Sequence, residues 1–82
     1  MNFTIYSKDG CPYCDKIKKV ADYMKEHKSA NVVVYNLNED FTKEQFYREF
    51  GNGSTFPQII LDDTHIGGCS DTVKYLQENN LL

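Results

Sequence analysis

Cys11 and Cys14 are the residues whose type and spacing point most directly to chemistry. They enclose Pro12 and Tyr13 in a Cys-x-x-Cys pair, and the chain contains three cysteines in all. Two thiols at this spacing can form a disulfide and exchange it with another, and the thiolate is the attacking species. An apolar run and a short polar turn precede the pair, and an amphipathic stretch follows it. We therefore expect Cys11 at a helix N-terminus, where unpaired N–H groups and the helix dipole favour an anion.

This position makes Cys11 the expected nucleophile. An unperturbed thiol with a pKa of ~8.5 is only about 3% thiolate at pH 7, and helix N-termini and nearby cations lower thiol pKa values to between ~3.5 and ~7.5. The N–H groups of Tyr13 and Cys14 and the cation of Lys8 are the expected contributors. A pair of inert core thiols is the alternative, and it is disfavoured by Pro12, which suits the first position of a helix.

The length and composition of the chain exclude several classes of protein. The 82 residues and the net charge of −3 indicate a single domain over residues 1–82 without the basic footprint of a nucleic-acid-binding protein. No run approaches the ~20 apolar residues of a membrane span, and residues 1–6 are typical of a first strand rather than of a secretory signal. An odd number of cysteines disfavours a disulfide framework and indicates a reducing compartment, so we expect a cytoplasmic protein. Three lysines follow the cysteine pair: Lys16, Lys18 and Lys19. They are interpreted either as part of a solvated helix face or as the source of a positive electrostatic field near Cys11.

The first half of the chain is expected to form a βαβ unit. Alternation predicts a strand over Asn2–Ser7, and helical spacing of apolar residues predicts a helix from Pro12 to about Lys28. The nearly continuous β-branched run Val32–Leu37 predicts a second, parallel strand buried on both faces.

The second half adds a helix, two strands and a last helix. Thr42 and Gln45 form a capping-box pattern for the second helix, Phe41 and Phe46 form a hydrophobic staple, and Gly51-Asn52-Gly53 ends that helix. Strands are expected over Gln58–Leu61 and Thr64–Ile66, and Gly67-Gly68 breaks the second of them. The last helix is expected to be capped by Ser70 or Cys69 and to carry Val73 and Leu76 inward. The order β-α-β-α-β-β-α predicts an α/β fold with a mixed four-stranded sheet flanked by three helices.

Four segments, in family order and at family spacing, connect the chain to a known family. They are Tyr6-Ser7-Lys8, Cys11-Pro12-Tyr13-Cys14, Thr55-Phe56-Pro57-Gln58-Ile59 and Gly67-Gly68-Cys69-Ser70-Asp71. Together they span the whole chain, which resembles a dithiol glutaredoxin with a thioredoxin-like fold. Two departures are small: Phe56 stands where the family usually has Val, and Ser70 where many members have Asp. Neither removes a reactive group.

The resemblance implies a glutathione groove around the cysteine pair. Thr55-Phe56-Pro57 resembles the family's cis-proline loop, in which the backbone of Phe56 would pair with the cysteine moiety of glutathione; local sequence alone leaves an ordinary trans proline open. Gly68, Cys69, Ser70 and Asp71 would bind the γ-glutamyl group, although a plain helix cap also explains Ser70 and Asp71.

Further groove residues follow from the same resemblance. Lys8 would face the glycyl carboxylate, and Tyr13 would line the sulfur. Gln45 is a weaker candidate for the same carboxylate, since its capping role explains it without a ligand. Cys69 is interpreted as a small apolar residue at a helix start or as a thiol open to glutathionylation.

The expected function is that of an enzyme, a glutathione-dependent thiol–disulfide oxidoreductase with Cys14 as the resolving cysteine. Glutathione is then a co-substrate and no cofactor is tightly bound. The expected partners are disulfide-containing or glutathionylated proteins, with ribonucleotide reductase as one plausible acceptor, and the expected state is a monomer. One alternative within this chemistry is a glutaredoxin-like electron donor reduced by thioredoxin reductase. Others are an iron–sulfur cluster shared by two subunits, and a zinc site built from Cys11, Cys14, His65 and Cys69.

Overall fold

A single mixed sheet with helices on both faces organises the computed structural model, which describes residues 1–82. The elements are β1 (Asn2–Ser7), α1 (Pro12–Lys28), β2 (Asn31–Asn36), α2 (Lys43–Phe50), β3 (Gln58–Leu61), β4 (Thr64–Gly67) and α3 (Cys69–Glu78). The strand order is β2-β1-β3-β4, with β1 parallel to β2, antiparallel to β3, and β3 antiparallel to β4. The expected element order and mixed four-stranded sheet are confirmed.

The main core lies on the face of the sheet that carries Phe3 and Ile5, as the alternation in β1 predicted. Both side chains are fully buried, and they pack with residues of α1, β3 and α3: Ile17, Ala21, Met24, Ile59, Leu61 and Leu76. The helical spacing of the buried positions in α1 explains why this helix lies along the sheet. Removal of this apolar surface from water is the main stabilising contribution to the fold.

Aromatic side chains join α2 to the opposite face of the sheet. The Tyr6 ring lies with its centroid 5.3 Å from that of Phe41 and 5.0 Å from that of Phe50. Phe46 is almost fully buried beneath them, and its ring contacts Phe41 at 5.8 Å. The predicted hydrophobic staple is thus confirmed, and it belongs to a second, aromatic core.

The expectation that β2 is buried on both faces is wrong. Val33 is 44% exposed and Tyr35 is 38% exposed. The reason is the strand order, which places β2 at the edge of the sheet. A run of β-branched residues indicates a strand, but its position within the sheet depends on pairings that local sequence does not contain.

Helix starts follow their local signals at α1 and α2 but not at α3. The backbone N–H of Gln45 donates to Thr42 Oγ1 at 3.1 Å, and the backbone N–H of Thr42 donates to Gln45 Oε1 at 2.9 Å, so the capping box is confirmed. For α3 the expected Ser70 or Cys69 cap is wrong, because Gly68 is the N-cap residue. Its N–H donates to Asp71 Oδ2 at 3.2 Å.

None of the three helices has the length and the apolar composition required to cross a lipid bilayer.

Candidate functional site

The cysteine pair forms a disulfide at the start of α1. The Cα atoms of Cys11 and Cys14 are 5.1 Å apart, a separation that the bond requires. Cys11 is the N-cap residue, Pro12 follows it in the first turn, and the backbone N–H of Cys14 donates to Cys11 Sγ at 3.2 Å. Because an N–H at a helix start points at this sulfur, the site can stabilise negative charge on it when the disulfide is reduced.

The two cysteine residues differ in their exposure to solvent. Cys14 is completely buried, whereas Cys11 retains 6% of its surface. Cys14 follows Cys11 by one helical turn and lies in the buried stripe of α1 with Ile17 and Ala21. An attacking or attacked sulfur from another molecule therefore reaches Cys11 first.

The loop that precedes β3 contacts Cys11, although the two are far apart in the sequence. The peptide bond between Phe56 and Pro57 is cis, as the resemblance implied. The carbonyl oxygen of Phe56 lies 3.8 Å from Cys11 Sγ. In the disulfide the Cys11 sulfur carries no proton, so it makes only a van der Waals contact with the carbonyl oxygen. In the reduced form the Cys11 thiol can donate a hydrogen bond to that oxygen. The loop thus forms one wall of the site.

Eight residues that sequence analysis singled out come together around one cavity of about 210 Å³. The lining residues are Tyr13, Thr55, Phe56, Pro57, Gly68, Cys69, Ser70 and Asp71. They come from the start of α1, the loop before β3 and the start of α3, three segments far apart in the sequence. The cavity therefore joins three of the four motif segments beside the cysteine pair.

Glycine is required at the α3 end of this cavity. Gly67 has a φ of +127°, and a Cβ atom built on it would lie 2.6 Å from Asp71 Oδ2. Both the backbone conformation and the nearness of the Asp71 carboxylate disfavour a side chain there. The expectation that Gly67 breaks the strand is wrong, because Gly67 is the last residue of β4 and pairs with Ile59. Its role beside Asp71 was not predicted, although the Gly67-Gly68 pair was the signal that could have revealed it.

Lys8 does not line the cavity but lies beside it. Its ammonium nitrogen is 5.2 Å from the centroid of the Phe56 ring, and the side chain forms no salt bridge. The same ring stacks on Phe46 with centroids 4.0 Å apart and planes 9° apart. This stack was not predicted from the sequence, in which the only signal for it is Phe56 at a position usually held by Val.

Gln45 lies away from the groove. Its side-chain oxygen accepts the N–H of Thr42, and the residue borders a separate cavity of about 400 Å³ with seven others: Tyr6, Tyr35, Asp40, Phe41, Phe46, Arg48 and Glu49. Neither cavity is lined by Cys11 or Cys14, but only the smaller one is lined by Phe56, whose carbonyl oxygen contacts Cys11 Sγ. Burial raises the pKa of the Tyr6 hydroxyl there, and the negative charge of Glu49 raises it further. The structure therefore gives Gln45 a capping role and places it outside the lining of the smaller cavity.

Cys69 faces inward from the start of α3. It is buried, with 6% of its surface exposed, and it packs in the main core. Burial raises the pKa of its thiol, and the positive charge of Lys16 offsets this only in part. This environment favours the neutral thiol and supports the interpretation of Cys69 as a small apolar residue.

The zinc alternative requires His65 to join the cysteines. Instead, His65 Nε2 lies 2.7 Å from Gln58 Oε1, and its ring is 5.0 Å from that of Phe50. Side chains of His, Cys, Asp and Glu do not gather anywhere in groups of three or more that could hold a metal ion. The donor set proposed for zinc is thus not assembled.

Comparisons with known proteins agree with this geometry. A sequence model of the family described as Glutaredoxin matches residues 3–66. Glutaredoxin 1 of Rickettsia prowazekii is 39% identical over 77 residues, which cover 94% of this chain and 79% of the relative.

Solved structures show the same fold. Reduced Escherichia coli glutaredoxin superposes with a TM-score of 0.81 at 31% identity, with 98% of each chain covered. A buckwheat glutaredoxin–glutathione complex superposes with a TM-score of 0.75 at 23% identity, over 96% of this chain and 71% of that one, a likeness of fold alone. The architecture is therefore thioredoxin-like, and the Cys11–Cys14 pair occupies a redox-active position in it. The chain belongs to the glutaredoxin family, whose members are thiol–disulfide oxidoreductases.

Proposed function

We propose that the chain is a glutathione-dependent oxidoreductase that reduces protein–glutathione mixed disulfides and protein disulfides. The observation that carries this proposal is the cavity lined by Phe56, whose carbonyl oxygen lies 3.8 Å from Cys11 Sγ, and by Gly68, Cys69, Ser70 and Asp71 at the start of α3. Family membership supports the general chemistry, and the groove supports the choice of glutathione. The polar groups proposed to bind glutathione are the backbone of Phe56, the N-terminus of α3 and Asp71, which line the cavity, and Lys8, which lies beside it.

In the first route, the Cys11 thiolate attacks the glutathione sulfur of a glutathionylated protein. A disulfide forms between Cys11 and glutathione, and the protein leaves as a thiolate that takes up a proton. The thiolate of a second glutathione then attacks the bound glutathione sulfur, which releases glutathione disulfide and restores the Cys11 thiolate. Only one cysteine of the pair is needed for this cycle.

In the second route, Cys11 attacks a disulfide within a protein substrate. A mixed disulfide forms and one substrate thiolate leaves. Cys14, three residues away in the same first turns of α1, then attacks Cys11 Sγ, so that the second substrate thiolate leaves and the Cys11–Cys14 disulfide remains. Two glutathione molecules reduce that disulfide and become glutathione disulfide.

Binding of glutathione is assigned group by group. The first N–H groups of α3, at Cys69 and Ser70, suit the γ-glutamyl carboxylate, and Asp71 suits its ammonium. Asp71 Oδ2 already accepts the N–H of Gly68, but a carboxylate has further lone pairs for a second donor. Thr55 and Tyr13 line the remaining wall, and Lys8 meets the glycyl carboxylate.

The partners proposed for this activity are disulfide-containing and glutathionylated proteins, with ribonucleotide reductase named on the resemblance alone. The cysteine usage of the chain supports work in a reducing compartment, for which we propose the cytoplasm. A monomeric state is proposed for the chain.

The deciding assay measures reduction of a glutathione mixed disulfide with glutathione and glutathione reductase, for the natural chain and for Cys11→Ser. We expect turnover by the natural chain and none by the variant. Reduction by thioredoxin reductase, with no turnover by glutathione, would instead support the rival electron-donor function and remove the groove assignment.

Charge reversal tests the two ends of the groove. Lys8→Glu and Asp71→Lys should each raise KM for the glutathione mixed disulfide, because each replaces an attraction by a repulsion. Lys74→Glu, on the exposed side of α3 where it pairs with Glu78, is the matched control. An unchanged KM in both groove variants would show that glutathione is not bound as proposed.

A further inference from the structure

The Phe56 ring has two partners of different chemistry. The Phe46 ring lies nearly parallel to it, with centroids 4.0 Å apart and planes 9° apart, and so covers one face. The Lys8 ammonium lies over the ring at 5.2 Å from its centroid. The backbone carbonyl of the same residue approaches Cys11 Sγ at 3.8 Å. One residue thus contacts the aromatic core, the cation and the redox centre.

The ring is the contact that gives the Lys8 ammonium a defined position. Lys8 is exposed and forms no salt bridge, so its long side chain would otherwise sample many rotamers. A cation within about 6 Å of a ring centroid is attracted by the negative face of the ring. Phe46 is buried and follows the capped start of α2, so the ring itself is fixed from behind.

We propose that the Phe56 side chain is a positioning residue that holds the Lys8 ammonium at the edge of the groove, ready for the glycyl carboxylate of glutathione. This inference rests on the proposed function, because it assigns Lys8 to glutathione. It goes beyond that function by giving a role to the ring, whereas the groove assignment uses only the backbone of Phe56. A valine or leucine at this position has no ring face to offer a cation.

A double-mutant cycle tests the coupling between the two side chains. Phe56→Leu keeps an apolar side chain without a ring, and Lys8→Met keeps the stem without the charge. We expect Phe56→Leu to raise KM for a mixed disulfide of glutathione and a short peptide about two- to fivefold, the size of an exposed cation–π contact. Most of the loss in kcat/KM should lie in KM.

The double variant and Phe56→Tyr show whether Phe56 acts through Lys8. In the Lys8→Met background, Phe56→Leu should leave KM where Lys8→Met alone puts it, because the ring then has no cation to hold. Phe56→Tyr, which keeps the ring, should restore KM in the presence of Lys8. An equal rise in KM with and without Lys8, or no rise at all, would overturn the proposal.

A measurement without glutathione separates this proposal from the proposed function. The Lys8 ε-methylene protons over the ring should show an upfield ring-current shift in the NMR spectrum, and Phe56→Leu should abolish it. A shift that is absent in the natural chain would overturn the positioning role even if glutathione turnover is normal. A shift that is present in a chain without glutathione turnover would support the Lys8–Phe56 contact and overturn its use for glutathione.

Discussion

The rings of Phe46 and Phe56 lie face to face, with centroids 4.0 Å apart, and connect α2 to the loop that faces Cys11. Phe46 belongs to the staple at the start of α2, and Phe56 borders the groove. The geometry of the groove wall therefore depends on a helix that contributes no residue to the groove itself. This relationship makes the aromatic core part of the site as well as part of the fold.

Phe46→Ala should lower the free energy of unfolding by about 3–5 kcal/mol, because it leaves a cavity among four aromatic neighbours. Those neighbours are Phe41, Tyr47, Phe50 and Phe56. Tyr23→Ala is the matched control, since Tyr23 is an aromatic residue of α1 that is 47% exposed. It should change the same quantity by no more than about 0.5 kcal/mol. Urea unfolding curves measure both, and equal losses would show that the aromatic core contributes little.

Gly67→Ala should both destabilise the fold and weaken glutathione binding. The new Cβ atom would meet Asp71 Oδ2 at 2.6 Å, and a φ of +127° is unfavourable for alanine. Backbone strain of this type costs about 1–3 kcal/mol. Gly53→Ala separates strain from collision, because Gly53 has a φ of +80° and open space around its Cβ position.

The comparison uses urea unfolding together with KM for a glutathione mixed disulfide. We expect a larger loss of stability at Gly67 than at Gly53, and a raised KM only at Gly67. A KM that stays unchanged in Gly67→Ala would separate Asp71 from the proposed γ-glutamyl site.

Features that depend on neighbours in the sequence could be predicted from the sequence. The start of α2 is an example, because its signal and its hydrogen bonds both lie within Thr42 and Gln45. Cys11 at the start of α1 is another, since an apolar run, a turn and Pro12 define that boundary. The bounds of α1 and β3 follow the predicted ranges for the same reason.

Features that depend on distant pairings could not be predicted in this way. The edge position of β2 is set by β1, which pairs with β3 on its other side. The start of α3 is set by backbone geometry at Gly68, where Asp71 accepts an N–H in place of a serine cap. The stack of Phe56 on Phe46 joins the loop before β3 to α2, and no local spacing of residues in the sequence indicates this contact.

Cys14→Ser should separate the two proposed routes. Cys14 is the proposed resolving thiol, so its loss should abolish reduction of protein disulfides and leave reduction of glutathione mixed disulfides in place. Because Cys14 is fully buried, a serine hydroxyl there also needs a hydrogen-bond partner, and Cys14→Ala controls for that cost. Parallel assays with insulin disulfides and with a glutathionylated peptide measure the two activities. Loss of both activities in both variants would contradict the resolving role.

Cys69 should behave as a structural thiol whose ionisation opposes folding. Burial raises the pKa of this thiol above that of a free thiol. A group whose pKa is higher in the folded than in the unfolded state contributes stability that is complete below the unfolded pKa and is lost as pH rises through the folded pKa. The free energy of unfolding should therefore fall as pH rises above about 8.5, and Cys69→Ala should remove that part of the fall.

The same thiol provides a direct chemical test. In a chain with Cys11→Ser and Cys14→Ser, Cys69 is the one remaining cysteine, so alkylation by iodoacetamide reports it alone. We expect slow alkylation of the folded chain at pH 7, because the reaction requires the thiolate. The alkylation rate should begin to rise at a higher pH than that of a free thiol, because the pKa of Cys69 is raised. Unfolding in urea should remove this delay, since it removes the burial that raises the pKa. Rapid alkylation of the folded chain at pH 7 would show instead that Cys69 is an accessible thiol, and would return glutathionylation of Cys69 to consideration.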